Sequence, residues 1–345
     1  LTEQTVQAPT PTRARLLWVD VAKAFAITLV VVHHVVTFAK APGWLPDAVV
    51  TLNDQAATVR MPLFFLASGL FAAGALSRPW GVVARKRVLF FAYLFLLWTV
   101  LRFALFQVVP DVRPHGLDGD LPALLRSPLL PGTGLWFIYA LAVFSVLAKA
   151  TLRVSVAVQL AVAAAASAVV GSERLWIDNL AWRNMATYYV FFLVGTHLRR
   201  HVEAFAARVT AAATAGLAVA VAAGSAVVLR ADLETVPGVR LALSCVAVAF
   251  GVALAVQVAR VPGLNGVVAG LGERTLPVYL LHVPFVAAAV ALLEAVLAPR
   301  GTAGLLLVPV LTVLAGAASL ALHGPARRRL PWLFALPGRR RVVLL

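Results

Sequence analysis

The stretch DVAKAFAITLVVVHHVV, residues Asp20 to Val36, decides the fold. It is apolar enough to cross a bilayer, yet it holds an aspartate, a lysine and two adjacent histidines. An ionisable group inside a membrane span costs ~2.5–3.5 kcal/mol on insertion scales, so such groups face a polar interior and not lipid. On an α-helix, Lys23 and His34 differ by only ~20° in azimuth and lie ~16 Å apart along the axis. Asp20, three residues before Lys23, neighbours it on the same stripe and can pair with it, whereas His33 points ~80° to the side. The stripe is therefore predicted to face the inside of a helix bundle. The plainer alternative makes Asp20 and Lys23 a snorkelling ion pair near one membrane surface, with His34 hydrogen-bonded near the other.

Working outward, hydrophobic residues make up 61% of the 345 and charged residues 13%, with a mean hydropathy of +0.91. That exceeds the roughly 45–50% apolar share of soluble domains. Runs near the ~17–25 residues a transmembrane helix needs recur at 16–39, 58–77, 88–108, 134–150, 154–172, 184–198, 209–229, 240–259, 275–297 and 302–322. No polar interval between them is long enough to fold alone. The reading is an all-α, polytopic transmembrane bundle of about ten spans. The formal charge of +16 sits in short clusters between apolar runs, where membrane proteins carry orientation signals, which argues against nucleic acid as a partner. The single cysteine, Cys245, lies inside an apolar run, which excludes a disulfide framework and a cysteine metal site.

Loop charge sets the orientation. One set of loops and ends collects Arg13, Arg15, Arg78, Arg85, Lys86, Arg87, Lys149, Arg153, Arg199, Arg200, Arg208, Arg260, Arg274 and the triplets Arg327 to Arg329 and Arg339 to Arg341. The opposite loops hold most of the acids, among them Asp47, Asp54, Asp118, Asp178 and Glu234. Both termini are predicted cytoplasmic. Residues 1–15 read as a flexible cytoplasmic tail, 16–322 as the transmembrane domain, and 323–345 as a basic interfacial tail with a Trp/Phe/Leu patch. The outer segment Val109 to Thr133, rich in Pro, Gly and Asp, is predicted to be irregular and to fold over the outer mouth.

Six motifs, in order, carry a resemblance: DVAKAFAITLVVVHH, RMPLFFLASGLFAAG (Arg60 to Gly74), ARKRVLFFAYLFLLW (Ala84 to Trp98), GLWFIYAL (Gly134 to Leu141), YYVFFLVGTHLRR (Tyr188 to Arg200) and GERTLPVYLLHVPF (Gly272 to Phe285). Together they resemble the membrane-bound acyltransferase-3 family, multispan O-acyltransferases that modify cell-envelope sugars, lipids and some secondary metabolites. The resemblance implies a basic residue, ten intervening positions and then a catalytic histidine in the first span, here Lys23 and His34. The lysine replaces the more frequent arginine, and His33 stands where glycine is common. The family's "SG" corresponds to Ser68-Gly69 and its late "YllH" to Tyr279 and His282. Its basic cluster followed by Pro-Tyr corresponds to Arg85, Lys86 and Arg87 ahead of Ala92-Tyr93, without the proline.

The chemistry implied is transfer of an acyl group, above all acetyl, from cytoplasmic acyl-CoA to a hydroxyl reached from the outer side. A neutral imidazole at position 34 suits removal of a proton from that hydroxyl near neutral pH. The CoA phosphates need charge-assisted donors, which Arg85, Lys86 and Arg87 supply. Lys23, held by Asp20, orients or neutralises the donor. His282, ~10 Å into its span, is expected nearer the inner face than His34, either lining the donor channel or making an interhelical hydrogen bond. Arg60, Trp136, Arg183, Asn184 and Glu294 are the acceptor-side candidates. Arg102, inside its span, has no assigned role. No metal site is expected, because the histidines do not cluster with acids at ligand spacing.

The expected partners are acyl-CoA, a hydroxyl-bearing envelope glycan, glycolipid or small metabolite, and the bilayer. The expected location is the cell (inner or plasma) membrane, and heavy Ala, Val and Arg usage points to a GC-rich bacterial genome. With no soluble domain visible after the tenth span, the chain is expected to act alone or as a homo-oligomer. The rival reading is a transporter or exporter in which Lys23, His34, Arg60 and His282 form an ion or proton relay.

Overall fold

The computed structural model describes residues 17–108, 121–296 and 302–337. The chain runs through α1 (Leu17–Lys40), α2 (Asp47–Gln55), α3 (Ala57–Leu76), α4 (Trp80–Val83), a π-helical turn (Ala84–Val88) and α5 (Leu89–Val108). Then come α6 (Leu121–Arg126), α7 (Trp136–Ala150), α8 (Val156–Gly171), α9 (Leu180–His197), α10 (Arg199–Arg208) and α11 (Ala211–Arg230). The last four are α12 (Val239–Ala259), α13 (Leu264–Glu273), α14 (Thr275–Val296) and α15 (Thr302–Arg329). No strand occurs among the described residues.

A helix occupies each of the ten predicted apolar stretches. Seven segments are long and apolar enough to cross a membrane: α1, α2 with α3, α4 with α5, α11, α12, α14 and α15. Helices α7 and α8 are apolar but shorter, at 15 and 16 residues. At 1.5 Å per residue they cover ~23–24 Å, less than the ~30 Å hydrocarbon core. Helix α9 has the length, 18 residues, but carries Arg183, Asn184, Thr187, two tyrosines and His197.

Helix α1 is the axis of the bundle and packs against α3, α12, α13, α14 and α15. Its Val21, Ala26, Ile27 and Val35 are wholly buried. Helices α11 and α15 form part of the rim, where Val219, Val227, Leu306 and Val313 stay exposed, as apolar side chains do when lipid is their neighbour. Lipid tails give helices little hydrophobic reason to associate, so close packing through small residues matters. Helices α3 and α9 meet in this way. A Cβ on Gly69 would collide with the Phe192 carbonyl, and one on Gly195 with the Leu66 carbonyl. Gly272, at the end of α13, lies as close to the Asp20 carbonyl and seats the start of α1.

The two ends of the bundle differ in chemistry. At one end Lys23 stands over the Phe71 ring (4.9 Å). Lys149 Nζ donates to the carbonyls of Leu76 and Arg78 (2.8 Å each), tying the end of α7 to the turn after α3. The π-helical turn, ARKRV, falls at the same end and carries the whole basic cluster. At the other end lie His33, Asn53 and Arg60.

Two boundaries differ from the sequence reading. Helix α15 continues to Arg329, beyond the predicted end at 322. The aromatic patch that follows folds back on α5, because Tyr93 Oη donates to the Trp332 carbonyl (2.9 Å) and Trp98 Nε1 to that of Leu333 (2.8 Å). The described part of the outer segment contains α6 and is pinned to the bundle. Tyr139 Oη donates to Pro128 O (3.1 Å) and Trp182 Nε1 to Leu129 O (2.8 Å). The predicted tail at 1–15 and residues 109–120 and 338–345 lie outside the described residues.

Candidate active site

The polar stripe of α1 faces the bundle. Asp20 is buried at 4% exposure, and Lys23 Nζ pairs with its Oδ1 at 2.7 Å. Eleven residues on, the imidazole of His34 meets that of His282 from α14, with His282 Nε2 and His34 Nδ1 3.1 Å apart. The expectation that His282 sits nearer the donor end is corrected: its ring lies edge-on to His34, 4.8 Å between centroids, and is wholly buried. Gly272, near the end of α13, lies against the Asp20 carbonyl, and α14 continues from there in contact with α1; the meeting of the two rings comes from that packing, which a residue count within one span does not give.

Carbonyl acceptors assign the protons of the neutral rings. His34 Nδ1 donates to Val30 O (2.9 Å) and His282 Nδ1 to Val278 O (2.8 Å). His282 Nε2 is then an acceptor and takes a share of the His34 Nδ1–H. The consequence is a bare lone pair on His34 Nε2. That nitrogen points at Gly134, 3.5 Å from where a Cβ would stand, and Arg102 Nη1 approaches the same point at 3.4 Å.

His33 is engaged differently. Asn53 Nδ2 donates to His33 Nδ1 (3.1 Å) while Asn53 Oδ1 accepts from Arg60 Nη1 (3.4 Å). The guanidinium can only donate, which fixes the amide orientation and uses the His33 Nδ1 lone pair. Of the two adjacent histidines, His34 is therefore the one whose acceptor nitrogen is not taken by a neighbouring side chain. Arg60 is buried at 5% exposure, held by Asn53, and lies within electrostatic range of both His34 and Tyr188.

Arg102 is the residue the sequence reading left without a role, and it is buried to 2% exposure. Its Nη2 donates to Leu280 O (3.2 Å). Pro284, inside α14, lacks the N–H that would otherwise serve the carbonyl four residues earlier, and the guanidinium fills that vacancy. Tyr279 completes the enclosure: its hydroxyl donates to Gly134 O (2.8 Å) and accepts from the Phe137 N–H (3.2 Å), so the Gly134 turn is fixed from α14.

Among the acceptor-side candidates, Trp136 follows Gly134 by two residues and stacks on Tyr188, 6.2 Å between ring centroids, with Phe65 alongside at 5.9 Å. Arg183 lies over the Trp176 ring (4.3 Å), and Asn184 is half-buried beside it on α9. Glu294 is exposed, about 18 Å along α14 from His282, and is not brought to the histidines. At the basic end Arg85 and Lys86 are exposed. Arg87 is built into the bundle, with its Nε donating to Ser145 Oγ (2.9 Å) and its guanidinium against Phe91 (5.6 Å). Between Lys23 and His34 the same face of α1 carries Ile27 and Val30, at 0% and 4% exposure, so that part of the stripe is packed with side chains. Among the described residues no group of three or more His, Cys, Asp or Glu side chains is placed to hold a metal ion.

The family model described as an acyltransferase domain, acyltransferase 3, matches residues 16–324, nearly the whole chain. No curated protein and no solved structure matches the sequence.

Proposed function

The chain belongs to the acyltransferase-3 family and is a membrane-helical acyltransferase, and from that premise we propose that it moves an acetyl group from cytoplasmic acetyl-CoA to a hydroxyl of an envelope carbohydrate, glycolipid or secondary metabolite. In this reading the bundle has ten spans with both termini inside, α7 to α9 being short or polar spans. The observation that carries it is the lone pair of His34 Nε2, held toward Gly134 by two hydrogen bonds on the opposite nitrogen. A general base needs that arrangement: a fixed tautomer, a fixed ring plane and an open nitrogen. His282 is a positioning residue, acting through His34.

The reaction proceeds as follows. His34 Nε2 takes the hydroxyl proton as the acceptor oxygen attacks the thioester carbonyl carbon. The carbonyl electron pair moves to oxygen, then returns as the C–S bond breaks, and the protonated imidazole returns its proton to the leaving thiolate. The half-buried Trp136, stacked on the buried Tyr188, supplies an aromatic face, and Arg60, within electrostatic range of Tyr188, supplies a cation, a pair suited to a sugar ring and its hydroxyls. Arg85 and Lys86 present charge to the CoA phosphates at the basic end, and the Lys23–Asp20 pair lies between that end and His34. An arm reaching His34 from there must part Ile27 and Val30, so donor entry involves a small movement of α1 against its neighbours.

Neutralising the cluster tests the donor side. The double variant Arg85→Gln/Lys86→Gln, which leaves the packed Arg87 in place, is expected to weaken CoA binding about tenfold or more, since hydrogen bonds to charged groups contribute about 1.5–3 kcal/mol each. The remaining affinity should depend less steeply on salt. Isothermal titration with CoA at two ionic strengths measures both, and unaltered affinity would return the cluster to a purely topological role.

A further inference from the structure

The convergence of His34 Nε2 and Arg102 Nη1 on one point, left open by the lack of a side chain at Gly134, goes beyond the assignment of a base. The geometry points to an oxyanion site at that spot: Arg102 Nη1 receives the carbonyl oxygen of the thioester as it becomes negative, and Gly134 keeps the volume for the reacting carbon. This rests on the acyltransferase reading and adds the group that stabilises its tetrahedral intermediate.

Three features support it. First, a carbon-sized atom at the Gly134 Cβ position touches the base and the cation together, at 3.5 and 3.4 Å, where a carbon under attack would need them. Second, both nitrogens are held from behind. His34 is fixed by Val30 and His282, and Arg102 by the Leu280 carbonyl that Pro284 leaves without its helical donor. Donors that are already oriented stabilise developing charge without reorganising, which is where most of the benefit of an oxyanion site originates. Third, the Gly134 turn is itself anchored, through Tyr279 Oη to the Gly134 carbonyl and the Leu135 N–H to Thr133 Oγ1 (3.2 Å). In the step proposed, the acceptor oxygen bonds to carbon, the carbonyl electron pair moves to oxygen beside Arg102, and collapse expels the CoA thiolate. Atoms and charge balance with no further reactant.

Gly134 makes the test clean. Its backbone conformation is not one reserved for glycine, and an added methyl meets Arg102 and His34 at near-ordinary contact distance, so Gly134→Ala should fold. The probes are two CoA thioethers: S-ethyl-CoA, which has no carbonyl, and the S-trifluoroacetonyl thioether of CoA, whose hydrated ketone imitates the tetrahedral oxyanion. Wild-type protein in detergent is expected to bind the ketone roughly 10²-fold more tightly than S-ethyl-CoA, the low end of transition-state-analogue preferences. Arg102→Gln and Gly134→Ala should each bring that ratio close to one while leaving S-ethyl-CoA affinity within about threefold. Acetyl-CoA turnover should fall by about 10²–10³-fold, as for loss of one oxyanion donor. If the wild-type protein binds neither thioether, the donor reading itself fails. If it binds both and shows no preference, or if Gly134→Ala keeps the preference, the oxyanion site is wrong and the acyltransferase reading stands. Should Arg102→Gln not fold, the Gly134→Ala result decides alone.

Discussion

Replacing His34 with alanine is expected to lower acetyl transfer by roughly 10²–10⁴-fold, the usual contribution of a positioned general base, while CoA affinity stays within about threefold. The asymmetry follows from where the imidazole sits. Its Nε2 faces Gly134 and Arg102, removed from the basic turn at Ala84–Val88, so its loss leaves the phosphate contacts intact. His282→Ala should lower kcat by a smaller factor with KM for acetyl-CoA unchanged, because it frees the His34 ring without deleting the base. His33→Ala should cost less than about tenfold, since its Nδ1 lone pair is already taken by Asn53. Steady-state kinetics of the three variants, with CoA titrations alongside, separate these outcomes. A His33 variant more damaged than the His34 variant would move the base by one residue and undo the tautomer argument.

The second large effect concerns the fold. Gly195→Leu in α9 should prevent recovery of folded, monodisperse protein, because even its Cβ would enter the space of the Leu66 carbonyl and the Leu70 amide nitrogen on α3. Backbone cannot yield as a flexible side chain does. Overpacking ordinarily costs about 1–3 kcal/mol, and more where nothing can relax, so a loss of about 3 kcal/mol or more is expected. A conservative control is available on the same helix: Val194→Ala, on a partly buried side chain that packs against the core, should cost far less. Thermal unfolding in detergent checks the pair, and a folded Gly195→Leu protein within a few degrees of wild type would show that α3 and α9 do not need this close approach.

Much of the site was legible in the chain because helical spacing is rigid. The Asp20, Lys23 and His34 stripe needs only the α-helical repeat and the cost of charge in lipid, and the structure turns it inward as that argument requires. The Asp20–Lys23 pair follows from the same spacing. What spacing cannot give is the relation between helices. Distance from the start of its own span sets His282 apart from His34, yet α14 packs against α1 and the two histidines share a hydrogen bond. Glu294 was grouped with the acceptor side by depth alone, and its place on α14 leaves it exposed.

Arg102 had a signal that went unread. Pro284 inside an apolar run leaves the Leu280 carbonyl without a helical partner, and in a membrane that carbonyl must find a donor on another span. A solitary arginine in the third apolar run was the natural supplier. Asn53 carried no such mark, since an asparagine in a polar connection looks like a turn residue until Arg60 and His33 are seen on either side of it. The π-helical turn is the same kind of case. No proline stands before Tyr93, and the departure from regular α-helix falls just upstream instead, in the π-helical turn Ala84–Val88 that holds the basic cluster.

The central claim, that this bundle changes a covalent bond and does not merely pass a solute, is tested most directly by incubating the purified protein with acetyl-CoA and a panel of sugar acceptors and following both products. The account predicts that free CoA and an acceptor heavier by one acetyl group appear in equal amounts, and that both form at least about 10²-fold more slowly with the His34→Ala protein. Movement of acceptor across proteoliposomes with its mass unchanged, or CoA release that persists at the wild-type rate in His34→Ala, would contradict it.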